Sequence, residues 1–341
     1  MTIVTNWYDR AMQWQGKTAL VTGAGGFIGS HLAEELVRRG AKVKAMVHYD
    51  SRPQRSNLEL ADARLVHEMQ ILSGDVADPH FMYRAVQGCD VVFHLAALIG
   101  IPFSYVAPSA YVQTNIVGTI NTLEACRLHG TPRMVHTSTS ECYGTARYAP
   151  IDELHPLQGQ SPYSASKIGA DKLVESFWLS FKLPVTTLRS FNTYGPRQSA
   201  RAVIPTILSQ LLSGATSLKL GDASPVRDMN FVEDTVAAFL AVAASDACLG
   251  EVVNAGTGRG ETIGTIAELA MKIVGRTVPI QTEALRQRPE GSEVWKLIAA
   301  NAKAKQLAGW SPQVTLEAGL EKTARFIEKN LALYRPGEYA V

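Results

Sequence analysis

Tyr163-Ser164-Ala165-Ser166-Lys167 sets a phenol and an ammonium four residues apart, which on a helix puts both on one face, a turn apart. A tyrosine with the ordinary pKa of about 10 is a poor base at neutral pH, and a cation beside it stabilises the phenolate and brings it into range. Upstream, His136-Thr137-Ser138-Thr139-Ser140-Glu141-Cys142-Tyr143-Gly144 supplies hydroxyls and a carboxylate. Thr139 or Ser138 can bridge a substrate oxygen to the phenol. A third stretch, Thr22-Gly23-Ala24-Gly25-Gly26-Phe27-Ile28-Gly29, follows a short apolar run. A strand ending in glycines lets the backbone turn tightly and approach phosphates, and the helix beginning near Phe27 aims its N–H groups and dipole at their charge. Base, hydroxyl relay and dinucleotide cradle are together what hydride transfer from a carbinol needs.

Those residues require a sheet to hold them. Thr18 to Val21, Lys42 to Val47, Leu65 to Gly74, Val91 to Leu95, Arg133 to Ser138 and Val185 to Arg189 read as apolar, β-branched strands. Helical stretches separate them, and that alternation predicts a Rossmann-type α/β fold with a doubly wound parallel sheet. His31 to Arg39 carries Leu32, Leu36 and Val37 before Gly40 stops it. Ala110 to Gly130 and Ser164 to Phe181 are expected as long helices whose faces also suit a second copy of the chain, so a homodimer is expected. Past Arg189 the alternation lapses into turns such as Asn192-Thr193-Tyr194-Gly195-Pro196-Arg197. Residues 1–190 are therefore expected to form the dinucleotide-binding domain and 191–341 a smaller α/β lobe for substrate, with a soft boundary. The stripe in Ile263 to Val274 is read as core.

The 341 residues are 46% hydrophobic and 19% charged, with a net charge of +2 and no lysine or arginine block, which gives no case for nucleic acid or an anionic membrane. No apolar run approaches the ~18 residues of a membrane span, and Met1 to Gln15 lacks the apolar stretch of a signal peptide. Cys89, Cys126, Cys142 and Cys248 are far apart without a C-x-x-C pair, so neither a metal site nor a disulfide framework is expected and a reducing, cytoplasmic setting fits. His94 and His136 are read as packed histidines and Cys142 as a small buried hydrophobe.

With the glycine loop and the Y-x-x-x-K pair in one chain, the sequence resembles the extended short-chain dehydrogenase/reductase family, in its nucleotide-sugar epimerase/dehydratase branch, from Thr18 to about Trp310. The resemblance implies that Gly23, Gly26, Phe27, Ile28, Gly29, Asp75, Val76, Leu95, Ala96, Ala97, Thr114, Tyr163 and Lys167 bind cofactor. It also implies that Asn192, Arg197, Val203, Arg227 and Arg288 bind the nucleotide-sugar. Members using NAD tend to end the second strand on an acid; here His48 stands there, with Asp50 beyond it and with Arg52 and Arg55 able to neutralise a 2′-phosphate. NAD is expected by resemblance and NADP is not excluded. Within the branch, Thr137 to Glu141, Pro150 to Glu153, Gln158 to Tyr163 and Arg197 to Pro205 resemble 4,6-dehydratases of UDP- or GDP-N-acetylglucosamine, the legionaminic-acid type.

That resemblance implies catalytic roles for Thr139, Ser140, Glu141, Tyr163 and Lys167. Oxidation at C4 acidifies the C5 hydrogen, Glu141 removes it, the C6 hydroxyl departs as water, and the borrowed hydrogen returns at C6. Related hexose dehydratases commonly carry an aspartic acid before the glutamate; this chain has Ser140. A Ser-Glu pair also occurs in UDP-glucuronate decarboxylases, which makes decarboxylation the main rival, followed by 4-epimerisation and by a non-catalytic dinucleotide sensor.

Overall fold

The computed structural model describes residues 14–49, 56–286 and 289–335. Its centre is a seven-stranded sheet in which every pairing is parallel. In chain order the strands are β1 (Thr18–Thr22), β2 (Lys42–His48), β3 (Gln70–Gly74), β4 (Val91–His94), β5 (Met134–Thr139) and β6 (Val185–Ser190). The seventh, Val252–Ala255, lies outside β6, and the order across the sheet is Val252–Ala255, β6, β5, β4, β1, β2, β3. Strands β1 and β4 are almost wholly buried, as expected of a parallel sheet covered on both faces.

The chain runs outward from β1 to β3, then crosses back to place β4 on the other side of β1. That reversal opens a crevice at the carboxyl ends of the two strands, where ligands of open α/β sheets bind. The registers Thr22↔His94, His94↔His136 and Thr139↔Ser190 bring four loops to this edge: the glycine turn, Leu95 to Leu98, Ser140 to Glu141 and Phe191 to Asn192.

Helix α1 (Phe27–Arg38) leaves the glycine turn and buries Leu32, Ala33, Leu36 and Val37 against the sheet. The helix Pro162–Phe181 begins at a reciprocal cap between Ser161 and Ser164, with Pro162 in its first turn where the missing N–H costs nothing. This start fixes Tyr163 and Lys167 within its first two turns.

Two segments differ from expectation. Only Gln70–Gly74 of the stretch 65–74 is strand; Ala63–His67 is a short helix capped by Asp62, whose carboxylate accepts from Arg64 N–H, and Leu65 and Val66 pack on the core from it. The stretch 110–130 is not one α-helix: Pro108–Tyr111, a π-helical turn Val112–Val117 and Gly118–His129 follow one another.

After residue 190 the helices Val203–Leu212, Ile263–Val274 and Leu316–Lys329 enclose a second apolar core around Ile207, Leu208, Phe231, Ile266 and Leu320. The sheet nevertheless takes its last strand from this half of the chain, and the helices Val232–Ala244 and Ala302–Ala308 pack on the first core. A cut at 190 therefore runs through the Rossmann unit, and the second core is an outgrowth of it. No helix among the described residues is long and apolar enough to cross a membrane.

Candidate active site

The crevice is a cleft of about 1040 Å³ reaching from His48, Ser56 and Asp75 at one end to Tyr163, Glu141, Asn192 and Arg201 at the other. Its floor is the glycine turn. Gly23 adopts φ +70°, and a Cβ there would lie 2.9 Å from Ala96 N; at Gly29 a Cβ would meet Gly23 O at 2.2 Å. The backbone alone occupies that surface, so phosphates can approach it. Gly26, Phe27 and Ile28 complete the turn and also line the cleft. These residues fit a dinucleotide.

Thr22, at the end of β1, accepts from the N–H groups of Leu95 and Ala96, 3.1 Å each, and its hydroxyl lies 3.0 Å from His94 Nδ1. Leu95, Ala96 and Ala97 thereby form the wall beside the glycine turn. Asn115 holds the next stretch: its side chain accepts from Leu98 N–H, donates to Leu98 O and donates to Ser166 Oγ. The π-helical turn that differs from the expected helix aims Asn115 inward, consistent with the tendency of such turns to occur at functional sites. Thr114 lines the cleft beside it.

At the far end, Thr139 closes β5 and caps the turn Ser140–Tyr143 by accepting from Glu141 N–H. Thr139, Ser140, Glu141, Tyr163 and Lys167 all line the cleft, and all but Thr139 are buried. Burial pushes the Tyr163 phenol well above its ordinary pKa; a hydrogen bond with Thr139 acts in the opposite direction. Lys167 donates to Thr137 O at 2.7 Å. Among the influences on the phenol, desolvation is the largest. Burial also pushes Lys167 down, and the carboxylate of Asp171 one turn along opposes that.

Asp171 belongs to a buried web that sequence reasoning missed. Its carboxylate accepts from Arg189 Nη2 and Ser138 Oγ, both at 2.7 Å, and lies 3.2 Å from His136 Nε2. Arg189 also donates to the Tyr143 hydroxyl at 2.8 Å, which donates to Asn254 Oδ1 on the outer strand. Its hydrogen bond from His136 and the Arg189 charge hold Asp171 well below the usual carboxylate range despite burial. Burial leaves His136 neutral, at about 4, and pushes the Cys142 thiol up to about 12, so Cys142 is the inert buried group expected. The only hint in the sequence was a carboxylate four residues after Lys167.

At the other end, His48 and Asp75 line the cleft with their side chains 3.6 Å apart, and Val76 packs against Gly118. Asp50, Arg52, Arg55 and Arg288 lie outside the described residues. Of the residues assigned to substrate, Asn192 is in the cleft and three are not. Arg197 is turned into the protein, ion-paired with buried Glu34 on α1 and bonded to Ser30 Oγ at 3.1 Å. Arg227 is buried with its guanidinium on the Glu293 carboxylate at 3.1 Å and the Val226 carbonyl. Val203 starts a helix that packs on the second core, and Ala202 takes the wall position instead. Gln198, Ser199 and Arg201 also line the cleft; their glycine- and proline-rich context signalled a loop but not its direction.

The chain matches the family model described as GDP-mannose 4,6 dehydratase over residues 20–323. It is 30% identical over 334 residues to dTDP-D-glucose 4,6-dehydratase of Mus musculus, covering 95% of this chain and 92% of that one. To UDP-glucose 4-epimerase of Mycolicibacterium smegmatis it is 34% identical, covering 90% and 97%. It spans about half the length of a trifunctional UDP-glucose 4,6-dehydratase of Arabidopsis thaliana that it also matches. Among solved structures, a dTDP-glucose 4,6-dehydratase from Streptomyces venezuelae with NAD and TYD bound superposes with a TM-score of 0.84 at 28% identity, covering 93% of this chain and 99% of that one. A dinucleotide cradle on a parallel sheet, a buried Tyr-Lys pair beside it and these matches along nearly the whole chain agree: the chain belongs to the GDP-mannose 4,6 dehydratase family, in the nucleotide-sugar epimerase/dehydratase branch of the extended short-chain dehydrogenases/reductases.

Proposed function

We propose that the protein is a NAD-dependent nucleotide-sugar 4,6-dehydratase that converts UDP- or GDP-N-acetylglucosamine to the 4-keto-6-deoxy sugar. The observation that carries this reading is Glu141, a buried carboxylate residue on the wall shared by Tyr163, Lys167 and Thr139. A 4-epimerase has no use for a base at C5. NAD is supported by the solved relatives crystallised with it. When bound, the nicotinamide supplies the acceptor of hydrogen from C4 and its donor to C6.

Tyr163, through Thr139, takes the proton of the C4 hydroxyl, and Lys167 supplies the cationic surroundings in which a phenolate is tolerated. The resulting C4 ketone makes the C5 hydrogen acidic. Glu141 removes that proton as the C6–O bond breaks and passes it to the departing hydroxyl, forming water. Ser140 cannot be an acid of comparable strength, so Glu141 serves both sides of the elimination. Hydrogen returns at C6 and C5 regains a proton, which balances the one Tyr163 received at O4. The net change is loss of one water.

The test is incubation of the enzyme with UDP- and GDP-N-acetylglucosamine followed by mass spectrometry. Loss of one water from either sugar is the expected result. Release of CO₂ from UDP-glucuronate, or a 4-epimer without mass change, overturns the reading in favour of a decarboxylase or an epimerase. We also propose a cytoplasmic homodimer, supported by exposed Val112, Leu128, Leu179 and Phe181 on the two long helical segments flanking the sheet.

A further inference from the structure

Beyond Thr139 the chain passes at once through Ser140–Tyr143, a single 3-10 turn with Glu141 at its second position. Such a turn is poor at fixing its own direction, because its hydrogen-bond geometry is weaker than that of an α-helix. Its closing bond, from Gly144 N–H to Glu141 O, is 3.3 Å long. The direction is set from outside. Gln158 N–H donates to Cys142 O at 2.8 Å, and Tyr143, two residues past Glu141, is wholly buried.

The Tyr143 hydroxyl is held from two sides. Arg189 Nη1 donates to it at 2.8 Å, and it donates to Asn254 Oδ1 at 2.8 Å. Asn254 is itself oriented: its amide donates to Ile151 O at 3.1 Å, which leaves Oδ1 to accept, and its backbone N–H is taken by the Glu153 carboxylate at 2.8 Å. Arg189 lies over the Tyr143 ring, with Cζ 4.7 Å from the centroid, and its Nη2 is on buried Asp171 at 2.7 Å. Arg189 belongs to β6, Asn254 to the outer strand, and Asp171 to the helix Pro162–Phe181, one turn beyond Lys167. One phenolic oxygen therefore joins the Glu141 turn to two strands and, through Arg189, to the helix that carries Tyr163. Packing and hydrogen bonds of this kind hold a reacting group within the fraction of an ångström that its chemistry requires.

We propose that Tyr143, Arg189 and Asn254 are positioning residues that aim Glu141 at the C5 hydrogen, so that they govern the elimination and leave oxidation at C4 to Tyr163 and Lys167. This rests on the dehydratase reading above. Tyr143→Phe keeps the ring, with its contacts to His155 and Phe191, and removes both hydroxyl bonds. It leaves a guanidinium nitrogen and Asn254 Oδ1 unpaired in the interior and frees the turn two residues from Glu141. Tyr163 and Lys167 keep their own supports, the reciprocal cap at Ser161 and Ser164 and the bond to Thr137 O. Arg189→Lys retains a charge facing Asp171, but an ammonium cannot reproduce the planar fork that serves Asp171 and Tyr143 together.

The deciding experiment is a single turnover of NAD-loaded wild type and Tyr143→Phe with UDP- and GDP-N-acetylglucosamine, following product mass and reduced cofactor in parallel, then repeated with each sugar deuterated at C5. In Tyr143→Phe the product is expected to form roughly 10- to 100-fold more slowly, the loss that a misplacement of about 1 Å produces. Reduced cofactor accumulates at the wild-type rate, and the C5 deuterium effect exceeds that of the wild type. Arg189→Lys, where it folds, moves the same quantities in the same direction, and combining the two substitutions adds little. A variant as fast as the wild type overturns the proposal. So does a slowing of oxidation and elimination together with an unchanged C5 effect, which is what a general loosening of the fold produces. Either result leaves the dehydratase reading intact. A wild type that removes water from neither sugar overturns that reading, and the proposal with it.

Discussion

At position 141 a carboxylate stands in the same cleft wall as a phenol and a hydroxyl, so removing its charge while keeping its shape separates two chemical steps. In Glu141→Gln we expect dehydration to fall by about 10²–10⁴-fold, the range typical of losing a general base. Oxidation at C4 remains available, so absorbance near 340 nm should report cofactor that is reduced and not turned over. Full dehydration in that variant would remove Glu141 from the mechanism. Gly29→Ala is a sharper lesion, because its methyl would lie 2.2 Å from Gly23 O and push the cradle apart. Loss of bound dinucleotide, measured by fluorescence titration, is the expected outcome. Both residues were legible from local motif alone. Arg197 and Arg227 were legible as arginines, but whether each points outward or onto a carboxylate depends on Glu34 and Glu293, which are distant in sequence. Asp171 and Arg189 escaped notice for the same reason: a buried ion pair has no local signature.

Elements were read best where period and punctuation agreed. Ile263–Val274 has an apolar stripe, a Thr262 cap and a terminal Gly275, and it forms as expected. The stretch 65–74 misled because Leu65 and Val66 are apolar in either conformation, and the Asp62 cap is decided by a single hydrogen bond. The π-helical turn was invisible, since one extra residue per turn leaves apolar spacing nearly unchanged; its role predicts that Asn115→Ala, by orphaning Leu98 N–H, costs on the order of 1–3 kcal/mol in denaturant unfolding. Helix α1 also carries a titration. His31 sits against Arg197 with a pKa of about 4, lowered chiefly by burial and then by that arginine. The folded state keeps it neutral while the unfolded chain protonates near 6.5, so its stabilising effect is complete above that value and is lost as pH falls toward 4. Between pH 6.5 and 5 this costs up to about 2 kcal/mol. A thermal melt series should show a flatter decline in His31→Gln; an identical slope would place acid sensitivity elsewhere, with His136 the next candidate.

For the molecule as a whole, the parallel architecture and the crevice followed from the alternation of strands and helices, whereas the limit at residue 190 did not. A lone strand arriving after a long excursion carries too few residues to announce which sheet it joins. Val252–Ala255 pairs along β6 and brings Asn254 to the Tyr143 hydroxyl, beside the turn that carries Glu141. A fragment ending at residue 190 is therefore expected to lack cooperative unfolding in circular dichroism and to be cut rapidly by protease. Such a piece folding stably would show that the outer strand is dispensable. During synthesis on the ribosome, the same arrangement leaves one flank of β6 without its neighbour until some sixty further amino acids have emerged. For that interval the nascent polypeptide presents a bare, apolar β-edge of the kind that recruits chaperones or other unfinished chains.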